Sequence, residues 1–236
     1  MMLAGTVWQR ELLEFYQRRR AMVIKLLFPL FIAIPLLFTH APVIYVAMAL
    51  TMLITIIGAL GAGAVLTRER LVGLTVRYRT LPVTPGRLLL ERLTVNAAID
   101  FLQLIPVLLL VAVRYPNSIA WWPALLLTSM AALLVGNLLG AVASVLSDSP
   151  GEVMLYIFIP LLPVLYLSGV FAPLTEPALL VVSRFLPFSY LHEALLGALG
   201  GQSNLLPWET ALAGLGFLVG AAGLIGRLGR RVLESE

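Results

Sequence analysis

Apolar runs about twenty residues long recur along this chain, and they constrain its fold more than any other feature. A helix rises about 1.5 Å per residue, so a run of that length crosses the ~30 Å hydrocarbon core of a bilayer. Inside hydrocarbon every backbone N–H and C=O must find a partner within the protein, which leaves only helices and closed β-barrels as spanning elements. The two-residue alternation of a barrel strand is absent, so helices are expected. A mean hydropathy of +0.98 with 12% charged residues, against about a quarter in soluble domains, agrees. The sequence predicts an all-α membrane protein.

Six spans are expected, at Ala21–Phe38, Val43–Leu66, Leu93–Val113, Pro123–Leu146, Val153–Phe171 and Trp208–Gly226. In residues 1–20, Trp8, Leu12, Phe15 and Tyr16 fall on one helical stripe, the pattern of a helix lying in the membrane interface. A frayed polar tail is the plainer alternative. Prolines at 29 and 35 and glycines at 58, 61 and 63 suggest kinks and close helix approach in the first two spans. Residues 173–207 are long and apolar enough to cross, yet hold Arg184, Pro187, His192 and Glu193 near the middle.

Charge bias decides between crossing and return. Cytoplasmic segments carry an excess of Lys and Arg. With six spans and both termini cytoplasmic, that side receives Arg10, Arg18, Arg19, Arg20, Lys25, Arg68, Arg70, Arg77, Arg79, Arg87, Arg92, Arg227, Arg230 and Arg231; of the 16 basic residues only Arg114 and Arg184 fall outside. A seventh crossing would invert the C-terminal arginines. Residues 173–207 are therefore expected to form an outer re-entrant hairpin, two short helices broken at Pro187. No repeat or linker divides the chain, so residues 1–236 form a single transmembrane domain. Without a cleavage site after the first apolar run, no cleaved signal peptide is expected.

Several chemistries are excluded. There is no cysteine, which removes thiolate and iron–sulfur chemistry, and two histidines leave a metal site short of its usual ligands. No Ser/His/Asp set or paired-carboxylate site can be assembled, so no catalytic residue is assigned. The basic residues flank apolar spans, which points to membrane lipid headgroups rather than to nucleic acid.

The segment "RERLVGLTVRYRTLPVTPGRLLLER" gathers the arginines between two spans, residues 67–92. A helix is expected to continue from the second span through Glu69 and Leu74 towards Leu81, where Pro82 stops it. Thr84 and Pro85 then read as the N-cap and first turn of the third span. A bare topology signal would need only the arginines. The order Glu69, Gly73, Leu81-Pro82-Val83-Thr84 resembles the cytoplasmic loop of type-2 ABC transporter permeases, whose coupling helix receives the motion of an ATPase subunit. Ser168-Gly169-Val170-Phe171 with Pro173, then Leu186-Pro187, is similar to that family's fifth span and re-entrant hairpin. The basic Arg77-Tyr78-Arg79 departs from the acidic run of many members, and the loop "SDSPGE" after span four is either a short second contact with the ATPase or only a turn.

The resemblance implies a permease subunit of an ATP-driven exporter moving an amphipathic or hydrophobic substrate out of the cytoplasm or inner leaflet of the cell inner (plasma) membrane. No G-x-x-x-x-G-K-[ST] loop is present, so ATP and Mg would sit on a separate ABC ATPase subunit, and this chain would carry no cofactor of its own. It also implies a homodimer or a heterodimer with a related permease. Arg68, Glu69, Arg70, Gly73, Arg77 and Arg79 are the residues expected to couple to the ATPase.

Candidates for the transport path come from polarity inside the spans. Asn96, Asp100 and Gln103 form a row at helical spacing on span three, and an intramembrane carboxylate is a functional candidate by default. Its readings are a structural hydrogen-bonding role, a place on the path, or a proton or cation site in an ATP-independent carrier, the alternative function. His192 and Glu193 read as a solvated outer loop or as an external gate. Tyr156, Phe158, Tyr166 and Phe171 on span five either face a greasy cavity or only pack. Asn137 and Ser144 are expected to make helix–helix hydrogen bonds.

Overall fold

A computed structural model describes residues 19–39, 41–73 and 84–234. The described chain is helical: α1 (Arg19–Phe38), α2 (Val43–Leu71), α3 (Pro85–Arg114), α4 (Trp122–Leu146), α5 (Pro150–Leu167), α6 (Pro177–Ser183), α7 (Pro187–Ala198) and α8 (Pro207–Glu234), with a 3₁₀ segment at Pro116–Trp121. Residues 1–18 of the expected interfacial helix, together with Arg77 and Arg79, lie outside the described residues.

Four helical stretches are long and apolar enough to cross a membrane: Val43–Leu71, Pro85–Arg114, Ile119–Leu146 and Pro207–Leu228. Val23–Phe38 and Gly151–Leu167 are shorter apolar helices. α6 and α7 pass the same test only as a pair, bent by 95° at the break. Ser189 and Tyr190 tie that elbow, donating to the carbonyls of Ser183 (2.7 Å) and Arg184 (3.0 Å).

α2 and α4 form the most extensive helix pair and approach backbone to backbone. A Cβ added to Gly140 would stand 2.2 Å from the carbonyl oxygen of Ala59, and one added to Gly58 2.9 Å from that of Leu133. Small residues permit this contact, which supplies packing that lipid cannot drive by the hydrophobic effect. Around the pair a core of Leu50, Leu89, Leu93, Leu133, Ile157 and Leu191 closes completely.

The two ends of the bundle differ in chemistry. At the arginine-rich end, α2 stops, α3 begins and α4 turns into α5. The α4–α5 turn is built by its own sequence: Ser149 caps α5, accepting from the Glu152 amide (3.3 Å), while Glu152 accepts from the Asp148 amide (2.8 Å). This is close to a capping box. The opposite end, where a hairpin is expected, holds the 3₁₀ segment and the bent α6–α7 pair.

Two expected boundaries move. α2 ends at Leu71 rather than running through Leu74, because Gly73 adopts φ +70° and its N–H bonds to the Arg70 carbonyl (2.9 Å). α5 ends at Leu167 rather than Phe171. Gly169 sits at φ +73°, and the Val170 N–H reaches back to the Leu165 carbonyl (3.3 Å), closing the helix as a Schellman turn.

Candidate functional site

The Arg68–Gly73 segment begins from a problem at the end of α4. Its last turn contains no basic residue, and the Ser147 hydroxyl, donating to the Ser144 carbonyl (3.3 Å), is a weak cap for the terminal carbonyls. Arg70, arriving from α2, supplies a stronger one. Its guanidinium donates through Nη1 to the carbonyls of Ser144 (2.7 Å) and Val145 (2.8 Å) and through Nη2 to that of Ser147 (2.6 Å), with the Asp148 carboxylate at 3.4 Å. A planar fork with donors on two nitrogens can bridge several carbonyls at once; a lysine ammonium holds a point charge only. The positive charge also meets the negative end of the α4 dipole.

Glu69, one residue earlier, faces a different helix. Its carboxylate takes both terminal nitrogens of Arg92 on α3, and the two side chains are only 12% and 8% exposed. Adjacent residues of α2 thus bind α3 and α4 separately, and the three helix ends are fastened together. Arg68 is exposed on the same turn, and so are Leu71, Val72 and Gly73. Nothing lies within 4 Å of a Cβ added to Gly73, whose positive φ marks it as a helix stop rather than a point of close approach within this chain.

Deeper along α3 the polar row closes on itself. The Asn96 side-chain amide donates to Asp100 Oδ2 (3.0 Å) and to Asn137 Oδ1 on α4 (2.9 Å), and Gln103 Nε2 donates to Asp100 Oδ1 (3.3 Å). Asn137 returns a bond to the Leu93 carbonyl (3.2 Å). Asp100 is buried, and α2 passes directly over it: a Cβ on Gly61 would stand 3.0 Å from Oδ2. Ser144 bonds within its own helix, to the Ala141 carbonyl (2.7 Å), and not across helices as expected.

These bonds set what Asp100→Asn should do. One carboxylate oxygen becomes an NH₂ group facing a donor, so either Asn96 or Gln103 loses its acceptor. The expected loss is about 1–3 kcal/mol of stability, the cost of a buried polar group left unpaired. Thermal unfolding of the purified variant reads it, with an unchanged range of transported compounds. A fully stable variant whose transport has lost its pH dependence would instead mark Asp100 as a proton site.

At the hairpin end, His192 is buried and does not belong to a solvated loop. Its Nδ1 lies 3.3 Å from the Thr51 hydroxyl of α2, and that hydroxyl donates to the Ala47 carbonyl (2.7 Å). Glu193 holds the following loop, accepting from the Ser203 hydroxyl (2.6 Å), the Asn204 amide (2.9 Å) and the Asn204 side chain (3.3 Å). Both residues line a cleft of about 550 Å³. Tyr156 and Tyr166 are exposed on the outer surface of α5, whereas Phe171 packs against the core. The structure therefore forms three groups from the expected residues, a fastening at the arginine-rich end, a closed polar row at mid-depth and the hairpin cleft, and leaves Tyr166 and Phe171 outside them. The Arg70 bonds to α4 escape a reading of the sequence, although the α4 terminus without a basic residue was their one visible sign.

Among known proteins, the family model for the ABC-2 type transporter matches residues 2–199. No curated protein and no solved structure matches.

Proposed function

Since the chain belongs to the ABC-2 type transporter family, we propose that this membrane permease works as the membrane half of an ATP-driven exporter. Its substrate is an amphipathic or hydrophobic molecule taken from the cytoplasm or inner leaflet. ATP and Mg are bound by a separate ABC ATPase subunit. Two permease chains, identical or related, face each other across the path, and the exposed α5 surface with Tyr156 and Tyr166 is available to line it. The protein resides in the inner (plasma) membrane with both termini cytoplasmic, which makes the arginine-rich end the cytoplasmic one.

The observation that carries this reading is the fastening of three helix ends by consecutive residues. A partner pressing on the exposed face at Arg68, Leu71 and Val72 would not bend one helix alone. Through Glu69–Arg92 and Arg70 with the α4 carbonyls, the push reaches α2, α3 and α4 together. Motion of a soluble ATPase is thereby delivered to the bundle as a rigid displacement. The closed bonding of Asp100 with two amides of its own helix favours this reading over an ATP-independent carrier.

Purification of the tagged chain from its native membrane in mild detergent tests the proposal. An ATP-binding cassette protein should co-purify in near-equal amount, and the complex should hydrolyse ATP. A stable, transport-competent chain that carries no such partner would favour the carrier.

A further inference from the structure

Two cavities of opposite character adjoin at Tyr190. The hairpin cleft, about 550 Å³, is polar along one side, where Arg184, His192, Glu193, Gln202 and Asn204 contribute. The second, about 600 Å³, is an apolar groove among α4, α7 and α8, walled by Leu138, Pro187, Phe217 and Leu224 and floored by Gly216 and Gly220. Tyr190 lines both. Its hydroxyl donates to the Arg184 carbonyl, while its ring packs on Phe217 with centroids 5.7 Å apart. A single tyrosine ring therefore separates a polar recess from an apolar one.

The dimensions and charge select an occupant. Ala213 and Leu224, at opposite ends of the groove on α8, are eleven residues apart, or about 16 Å along the helix. That is close to half of the ~30 Å hydrocarbon core, the share of one acyl chain. The floor is open, since a Cβ added to Gly216 or Gly220 meets nothing within 4 Å. In the polar cleft the Glu193 carboxylate is engaged by the Ser203 and Asn204 donors. Arg184 is exposed, and among the described residues no carboxylate stands within ion-pair distance of it. Its guanidinium is matched to a phosphate, which it can engage with two parallel donors.

We propose that each chain binds one anionic phospholipid of the bilayer, its phosphate on Arg184 and one acyl chain in the groove along α8. Tyr190 stands at the junction of head and chain, with its hydroxyl towards the polar side and its ring against the tail, as interfacial tyrosines do. The competing occupant is a second copy of the chain packing through Gly216 and Gly220, a spacing that suits close helix pairs in lipid.

The test needs neither ATP nor transport, so its outcome is separate from that of the exporter reading. The purified chain is placed in nanodiscs of equal parts phosphatidylglycerol and phosphatidylcholine, then released for native mass spectrometry. One retained lipid per chain is expected, with phosphatidylglycerol favoured about fivefold. Arg184→Gln should bring that preference close to unity. Gly220→Leu, whose side chain enters open space, should lower retention of both lipids while the chain stays folded. A wild-type chain that retains neither lipid, or an Arg184→Gln chain with an undiminished preference, overturns the proposal. So does an intermolecular disulfide formed in the bilayer by Gly220→Cys, the sole cysteine of that variant, because the groove would then be filled by a second copy.

Discussion

Leucine at position 140 should abolish accumulation of the folded protein. The first added carbon would already stand 2.2 Å from the Ala59 carbonyl oxygen and 2.7 Å from the Gly63 nitrogen, and both are backbone atoms that no rotamer change can move. α2 and α4 would have to separate, and the core around Leu50 and Leu133 would open with them. Overpacking against side chains costs about 1–3 kcal/mol. Against backbone the cost is expected to exceed that range, a large part of a total stability of roughly 5–15 kcal/mol. Fluorescence-detected size exclusion of Gly140→Leu should show little monodisperse protein. Gly223→Leu on α8, where an added Cβ meets nothing within 4 Å, should behave as wild type. Equal yields from the two variants would refute the close α2–α4 contact.

Arg70→Ala should separate ATP hydrolysis from movement in the membrane. The substitution removes the bonds that join α2 to the Ser144, Val145 and Ser147 carbonyls, yet Arg70 is only partly buried, its side chain 21% exposed, so water can reach the vacated site. The stability loss is therefore expected to be modest, about 1–3 kcal/mol. Glu69–Arg92 still binds α2 to α3, so the docking face survives. What is lost is the link to α4. With an environment-sensitive label on a cysteine at exposed Gln202, an ATP analogue should shift the signal of the wild-type complex. In Arg70→Ala the shift should largely disappear, while the ATPase stays bound and hydrolyses ATP. Arg70→Lys should recover only part of it, since one ammonium cannot span the carbonyls that the guanidinium bridges. Charge reversal at Arg68, which is exposed, should weaken binding of the ATPase instead. An Arg70→Ala complex with an undiminished shift would reduce the residue to a helix cap.

Length and hydropathy made the helices legible, because a long apolar run in a bilayer has no alternative to helix. The break at Pro187 was legible too, since proline ends a helix and the charges around it resist burial in lipid. Helix ends were harder. Gly73 and Gly169 stop α2 and α5 through positive φ, and a glycine at such a position looks in sequence like the glycines that pack between helices. Site residues divided similarly. Asn96, Asp100 and Gln103 stood out because polar side chains at helical spacing are rare in a span, and they do lie together. The burial of His192, which removes its solvated-loop reading, was not legible, because it depends on Thr51, 141 positions away in sequence, and no local pattern reports that contact. For the same reason Arg70 read only as one of the expected coupling residues, and its bonds to α4 stayed hidden. Its partners are backbone carbonyls, which every residue carries and no sequence motif distinguishes.

The central claim is that a soluble ATPase bears on the Arg68–Gly73 end of the bundle. Photocrosslinking tests it without knowledge of the substrate. A benzophenone attached to a single cysteine at Leu71, which is exposed at the end of α2, is activated in native membranes and compared with one at exposed Gln202 on the hairpin side. The account predicts that Leu71 yields one dominant adduct to a protein carrying a G-x-x-x-x-G-K-[ST] phosphate loop, and that Gln202 yields none. An adduct to such a protein from Gln202 but not from Leu71, or none from either position, would contradict it.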